Sequence, residues 1–424
     1  MVLRLITIGI VLAGLIAYTV LAGADFGAGF WQLLAGSGDW GRRVRDHAHH
    51  ANAPVWEANH VWLILVITVL WTGYPIVFGS VFSTLAVPIF LAAIGIVVRG
   101  VAYTMQNAAS SRERRAIDMA FAASSILTPF MLGSVIGAIA SGRVPVGNAR
   151  GNMITAWLNP TSIMAGCLAV ATGAFLAAVH LSADAQRRRE QSLAEAFRLR
   201  AFVSGVAAGA VAIAGLVVVE RDAHWLFTGL TAGWGLVAVG LSCAAALLTL
   251  LLVSVRRYEA ARLGAAVAVA ALLIGWAAAQ RPYVLPPQLT TRAAAADAAT
   301  LIPLIASVVL GAIILFPSLA LLFRLALTGR FDPSTSKAAH QIPQRGDARH
   351  PARRAQAALG LLIVGIVLLN IADASAAHVA GILALGAAGI AAFAAVAPAE
   401  LAKRPSPVPD NPVSRRRTTN SADC

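Results

Sequence analysis

The sequence predicts an all-α integral membrane protein, built as a polytopic bundle of helices. Of the 424 residues, 58% are hydrophobic and only 12% are charged, whereas soluble domains carry about 25% charged residues. The apolar residues form long uninterrupted runs, and a spanning helix needs roughly 20 of them. A transmembrane β-barrel would instead show alternating segments of about ten residues, so the pattern excludes that class.

Eleven apolar runs are long enough to cross a membrane. They lie near residues 3–22, 55–72, 77–98, 117–140, 161–182, 201–219, 226–254, 262–279, 301–323, 355–372 and 375–397. The first nine define a predicted transmembrane domain, and the last two define an extra hairpin. The predicted organisation is a transmembrane domain over 1–330, a cytoplasmic linker over 331–354, a hairpin over 355–397 and a basic tail over 398–424. The polar composition of the tail predicts disorder.

The basic residues are distributed unevenly between the two sides of the predicted bundle. The formal net charge is +14, which in a soluble protein would suggest nucleic acid as a partner. With the N-terminus outside, 26 of the 33 basic residues fall on the cytoplasmic side and six on the opposite side. This follows the positive-inside rule. We therefore expect a multi-pass protein with its C-terminus in the cytoplasm, in contact with membrane lipid and not with nucleic acid.

Five ionisable residues lie at predicted helix ends, outside the loops. Asp25 ends the first helix, Glu57 and His60 open the second, Arg99 ends the third and Asp118 opens the fourth. The predicted orientation places all five at the cytoplasmic level of the bilayer. Carboxylates and histidine are the usual proton relay groups in membranes. The five residues are therefore candidates for a cytoplasmic proton path, and Glu57 and His60, three residues apart, share one helix face.

Each of these residues also has an ordinary structural role open to it. Asp25 lies among glycines and could cap a turn, while Glu57 and Asp118 lie in first turns, where the helix dipole favours a carboxylate. Arg99 could extend to the lipid headgroups or neutralise one of the acids. His60 could be a hydrogen-bonded interior histidine. All five residues are predicted at the same depth in the bilayer, and this favours a shared proton path over five independent structural roles.

Two motifs in the first two predicted helices are specific enough to compare with a known family. Gly23-Ala-Asp-Phe-Gly-Ala-Gly29 and Pro54-Val-Trp-Glu-Ala-Asn-His-Val-Trp-Leu-Ile64 resemble the glycine signature and the Trp-Asp/Glu block of subunit II of cytochrome bd-type quinol oxidases. Further agreement in order and spacing comes from Arg99, Leu158-Asn-Pro160, Tyr283-Val-Leu-Pro286 and the segment 315–330. The resemblance covers roughly residues 1–332.

This resemblance implies a subunit that is inactive alone and pairs as a heterodimer with a haem-bearing subunit I in the bacterial cell membrane. Such a complex oxidises quinol, reduces dioxygen to water and forms a proton gradient in an aerobic respiratory chain. The haems are expected in the partner, and we expect no haem or metal in this chain, although the resemblance leaves room for a structural quinone. Subunit II scaffolds its partner and contributes acids to proton uptake, here Glu57 first and then Asp25.

Three features depart from the family pattern. Ala22 stands where a second acid is frequent, Arg292-Ala293 stands near the position of a usual Trp-Asp pair, and the segment 355–397 with the basic tail lies beyond the usual end. A proton-coupled transporter that uses Glu57 and Asp25 as carriers is the alternative function, and a purely structural membrane anchor is a third. Transporters favour ionisable groups at broken helices near the midplane, whereas the acids here lie at one edge.

Overall fold

The computed structural model describes residues 2–105 and 111–327, with short helical pieces between residues 356 and 391. Within the helices, the side chains of residues 50, 52–58, 111–115, 319 and 322–327 lie outside this description. The chain divides into two units, Met1–Arg330 and Phe331–Cys424, and the fold below is that of the first unit. The predicted linker, hairpin and tail fall mostly outside the described residues and stay predictions.

The first unit is helical almost throughout, with one short pair of antiparallel strands. In chain order, its described elements are α1 (Val2–Leu33), α2 (Gly38–Gly73), α3 (Pro75–Thr84), α4 (Ala86–Met105), α5 (Ser111–Ala140), α6 (Pro160–Arg187), α7 (Gln191–Asp222), α8 (His224–Thr231), α9 (Gly233–Ser254), α10 (Tyr258–Gln280), β1 (Tyr283–Leu285), β2 (Leu289–Thr290), α11 (Thr291–Ala294) and α12 (Ala298–Leu327).

The helices of this unit confirm the predicted all-α membrane bundle. Among the described residues, eight helices are long and apolar enough to cross a membrane, and the bent pair Asn59–Gly73 with Pro75–Thr84 would make a ninth. Nine spans were also predicted before residue 331. The two predicted spans beyond it, 355–372 and 375–397, fall largely outside the part of the chain that is described.

The span predicted at 77–98 is wrong, because the helix is interrupted within it. The short helix α3 bends away from the end of α2 by 118°, and the membrane-spanning helix is α4. Pro75 begins α3, since proline suits the first position of a helix. The buried Tyr74 precedes it, and its hydroxyl donates a hydrogen bond of 2.8 Å to the carbonyl oxygen of Arg4. This contact joins the bend to the start of α1.

The span predicted at 226–254 is also wrong in its bounds. The helix breaks at Ala232, which separates the short α8 from the long α9. Gly233 follows the break with a φ of +52°, a conformation that glycine adopts at little cost. The apolar run continues through the break, so hydropathy alone gives no sign of it.

Small residues allow the central helices to approach one another closely. A Cβ atom added to Gly27 of α1 would lie 1.9 Å from the carbonyl oxygen of Gly173 in α6. Alanines of α6, including Ala177 and Ala178, are fully buried in the same core. Small residues at such contacts favour association of membrane helices, since the backbones can come together. The glycine-rich stretch of α1 therefore serves packing and does not end the helix.

An ion pair joins the loop after α5 to the end of α7. Arg143, in the loop after α5, donates hydrogen bonds of 2.8 and 2.7 Å to the two carboxylate oxygens of Asp222 at the end of α7. The Thr161 hydroxyl in the first turn of α6 donates to the same carboxylate at 2.5 Å. The hydrogen bonds donated to Asp222 raise the pKa of Arg143, so its guanidinium stays charged at physiological pH. The loop and two helices are thus fixed together.

The close α1–α6 contact predicts a strong effect of Gly27→Ala. The added methyl group would overlap a backbone atom, which cannot move aside like a flexible side chain. Overpacking of this kind costs about 1–3 kcal/mol or more. We expect a clear loss of folded, monodisperse protein after heating in detergent, measured by size-exclusion chromatography. Gly9→Ala in the same helix is the matched control, because an added Cβ there meets nothing within 4 Å. Equal heat sensitivity of the two variants would contradict the contact.

Candidate functional site

Asp25 of α1 and Arg99 of α4 form a buried ion pair in the interior of the bundle. Their side chains are 3% and 2% exposed. Arg99 Nη2 donates to Asp25 Oδ1 at 2.6 Å, and Arg99 Nε donates to Asp25 Oδ2 at 3.2 Å. The same Nη2 also donates to the Asp25 carbonyl oxygen at 2.8 Å. A two-point contact between guanidinium and carboxylate is the strong form of this pair. Of the two roles open to Arg99, neutralisation of an acid is the one observed.

Two further helices contribute polar groups to the pair. Asn59 of α2 donates from Nδ2 to Asp25 Oδ2 at 3.4 Å. Ser125 of α5 accepts a hydrogen bond from Arg99 Nη1 and donates its own proton to the Phe121 carbonyl oxygen at 2.5 Å. We call Asp25, Asn59, Arg99 and Ser125 the Asp25 cluster. It takes one residue from each of four helices.

Aromatic rings enclose the guanidinium of Arg99. Its central carbon lies 4.0 Å from the ring centre of Phe121 and 5.1 Å from that of Phe26. A cation over an aromatic face is attracted by the ring quadrupole, and more strongly where water is excluded. The rings therefore stabilise a charge that could not stay in an apolar interior alone.

Two glycines make room for the Asp25 cluster. A Cβ atom on Gly29, one turn after Asp25, would lie 2.0 Å from Ser125 Oγ and 2.8 Å from Arg99 Nη1. A Cβ atom on Gly95, one turn before Arg99, would lie 2.3 Å from the hydroxyl oxygen of Thr128. The glycine motif of α1 thus has a local role in the site, since any larger residue at 29 would displace the arginine or the serine.

The predicted positions of the candidate residues at helix ends are wrong. Asp25 lies inside α1, which continues to Leu33, and Arg99 lies inside α4. Glu57 and His60 lie near the middle of α2, and Asp118 lies about two turns into α5. The helices extend further because the polar first part of α2 is itself helical and buries Val44 and Ala48 against the core. A polar stretch can continue a membrane helix beyond the apolar run, and hydropathy does not detect this.

Of the five predicted residues, Asp25 and Arg99 are in direct contact. Glu57 lies on α2, and its side chain is outside the described part of the chain. At 1.5 Å per residue, its backbone lies about 3 Å along the helix axis from Asn59. His60 follows Asn59 directly, and Asp118 lies two turns before Ser125 on α5; both are half-buried and both have interaction partners.

Asn59 and Ser125 are site residues that the sequence analysis missed. Both are uncharged polar residues within predicted spans, where polar groups are uncommon and face the bundle interior. Asn59 also belongs to the same block as Glu57 and His60. A search for every polar residue in the spans, beyond the ionisable ones, would have found them. Among the residues that the structure describes, no three His, Cys, Asp or Glu side chains gather as a metal site.

Comparison with known proteins decides the family. The family model described as cytochrome bd terminal oxidase subunit II matches residues 3–326. The chain belongs to this family. It is therefore a subunit of a bd-type quinol oxidase, an oxidoreductase complex, and a multi-pass membrane protein. The resemblance found in the two motifs is confirmed.

Individual relatives agree with this result. The putative cytochrome bd menaquinol oxidase subunit II of Bacillus subtilis (strain 168) is 24% identical over 327 residues, which cover 74% of this chain and 92% of the relative. The cytochrome bd-I ubiquinol oxidase subunit 2 of Escherichia coli (strain K12) is 28% identical over 164 residues, 37% of this chain and 42% of the relative. Among solved structures, the bd oxidase from Geobacillus thermodenitrificans has the same fold, with a TM-score of 0.60 and 23% identity over 77% of this chain and 99% of the matched chain.

The buried ion pair predicts a non-additive pattern of stabilities. Asp25→Asn or Arg99→Gln alone leaves one buried charge without its partner, which costs about 3–5 kcal/mol. The double variant removes both charges, so we expect it to be more stable than either single variant. Thermal unfolding of the purified complex measures this difference.

A matched control uses the surface pair of Arg43 and Glu190, whose side chains are 51% and 39% exposed. Glu190→Gln should change the free energy of unfolding by about 1 kcal/mol at most. Strictly additive losses for Asp25→Asn and Arg99→Gln would show that the pair is not energetically coupled.

Proposed function

We propose that this chain supplies protons and a scaffold to a haem-bearing subunit I, in a complex that oxidises quinol and reduces dioxygen to water. The single observation that carries the proposal is the buried Asp25 cluster, since charged groups inside a membrane bundle are costly and mark ion or proton paths. Family membership favours this role over a proton-coupled transporter or a structural anchor. One relative is described as a menaquinol oxidase subunit and another as a ubiquinol oxidase subunit. We therefore propose a quinol as the substrate and do not assign which quinol it is.

We assign different tasks to the acids of the path. The carboxylate of Asp25 accepts hydrogen bonds from Arg99 and Asn59, and its charge is balanced by the guanidinium. A carboxylate held by fixed donors is suited to set the local potential. Glu57 is the group proposed to take up and release the mobile proton, because α2 places its backbone within one turn of Asn59. His60 and Asp118 are further candidates on the same helices.

The proposed direction of uptake is from the cytoplasm. The positive-inside distribution puts the end of α1, the beginning of α2 and the end of α4 on that side. In this orientation the Asp25 cluster lies between the cytoplasm and the bilayer centre. We assign the haems to the partner subunit, with which this chain forms a heterodimer.

The partner is expected to cover apolar surface of this chain. The helix α4 carries Arg99 on its inner face and exposes Phe90, Ile94 and Val97 by 67%, 54% and 64% on its outer face. A face of this kind packs against another membrane helix or lipid. A reduced-minus-oxidised spectrum of the complex purified through a tag on this chain tests the assignment, since absence of haem would refute the oxidase role.

The proposed proton path predicts that Glu57→Gln slows oxygen consumption by about tenfold or more, because the neutral amide cannot carry a proton. The haem spectrum should stay unchanged. Glu57→Asp should restore part of the turnover, since it retains a carboxyl group. Quinol-dependent oxygen uptake in proteoliposomes is the measurement.

Asp39→Asn is the matched control for this experiment. Asp39 is an acid of the same helix, and its side chain is 89% exposed. Normal turnover of Glu57→Gln would remove the proton role, and loss of the haem spectrum would show that Glu57 is structural.

A further inference from the structure

Several buried polar atoms on the helices that carry the Asp25 cluster make no hydrogen bond within the described chain. They are the Tyr18 hydroxyl, Asn59 Oδ1, Trp62 Nε1 and the Thr128 hydroxyl. An unpaired buried polar group costs about 1–3 kcal/mol, and the bilayer core offers no bulk water to satisfy it. Four such atoms in one region therefore point to a shared polar partner.

These atoms belong to one packed region. Tyr18 and Trp62 pack in the same buried group of α1 and α2. The same buried group contains Phe26, whose ring faces the guanidinium of Arg99. Asn59 holds Asp25 through its Nδ2 and leaves Oδ1 unpaired. Thr128 lies one turn from Ser125 on α5, with its hydroxyl directed at Gly95 of α4.

The four groups lie at or beyond the cluster on the same side. Consecutive spans run in opposite directions, so decreasing numbers in α1 point the same way as increasing numbers in α2 and α5. Tyr18 precedes Asp25 by two turns, Trp62 follows Asn59 by about one turn, and Thr128 follows Ser125 by about one turn. In the predicted orientation this is the side of the bilayer centre, away from the cytoplasm.

We propose that internal water molecules bind among Tyr18, Asn59, Trp62 and Thr128, and continue the proton path from the Asp25 cluster towards the bilayer centre. This inference rests on the proposed function. The four atoms offer both donors and acceptors, and a buried water makes about three hydrogen bonds to such groups. A side chain of the partner could not reach atoms enclosed by this chain, whereas water is small enough.

The chemistry of the four groups fits a relay. A hydroxyl both donates and accepts. A proton can therefore bind a lone pair of the Tyr18 oxygen while the original hydroxyl proton leaves to the next water, and no residue changes its charge overall. The indole of Trp62 only donates, and Asn59 Oδ1 only accepts. These two groups orient the water molecules, and Tyr18 and Thr128 pass the proton.

The first test is the density map of the intact two-subunit complex at a resolution that shows ordered water. We expect water density within hydrogen-bonding distance of the Tyr18 hydroxyl and Asn59 Oδ1. A quinone headgroup or a partner side chain at these atoms, or a map with no density there, would overturn the proposal. This test requires no variant that could fail to fold.

The second test is Tyr18→Phe, which keeps the ring and removes the hydroxyl. We expect oxygen consumption to fall by about tenfold, with a larger solvent isotope effect and an unchanged haem spectrum. Thr128→Val is a second variant with the same expectation. Tyr74→Phe is the control, because its hydroxyl lies at the other end of α1, on the Arg4 carbonyl oxygen.

The outcomes separate this inference from the function on which it rests. If Glu57→Gln slows turnover while Tyr18→Phe and Thr128→Val leave both turnover and isotope effect unchanged, the water relay is refuted and the proton role of Glu57 stands. If all three variants turn over normally, the proposed proton path fails as well. Slow turnover with an enlarged isotope effect in Tyr18→Phe, together with the water density, supports the relay.

Discussion

The cost of keeping Asp25 and Arg99 away from water constrains the arrangement of the four helices α1, α2, α4 and α5. Two charges removed from water lose hydration worth several kcal/mol each, and their attraction repays this only when the geometry is good and the remaining donors and acceptors are satisfied. Here the carboxylate meets Arg99 and Asn59, and the guanidinium also meets Ser125 and two aromatic rings. Because the four residues of the Asp25 cluster come from four different helices, a shift of any one of these helices along its axis would break at least one of these contacts.

The rest of the bundle uses less selective contacts. Small residues let α1 and α6 approach, and apolar surfaces pack without fixing a unique register. Lipid tails are as apolar as the side chains, so burial alone gives little preference for one helix arrangement over another in a membrane. The polar cluster, and the Arg143–Asp222 pair at the other end of the bundle, therefore carry much of the specificity of this fold.

The sequence predicted the fold class and, before residue 331, about the number of spans that the structure describes, because long runs of apolar residues without charges are typical of membrane helices and rare elsewhere. Helix ends were predicted poorly, since the polar start of α2 continues the helix and the glycines of α1 serve packing. Asp25 and Arg99 were found because charges stand out in an apolar run, and their pairing was one of two alternatives considered for the arginine. Asn59 and Ser125 were not found. Which faces of neighbouring helices meet depends on helix rotation and tilt, and spacing within one helix does not determine either.

Pairing the two charges also suits the proposed proton path. An unpaired arginine would repel an approaching proton, and an unpaired buried carboxylate would bind one and retain it, because burial disfavours its charged form. Here the two charges balance each other, and the Asp25 oxygens accept hydrogen bonds from Arg99 and Asn59. The path can then contain strong local fields without a net charge at this point. In the proposed path, the groups that change charge are other residues, and the candidates Glu57 and His60 lie within two residues of Asn59 on α2.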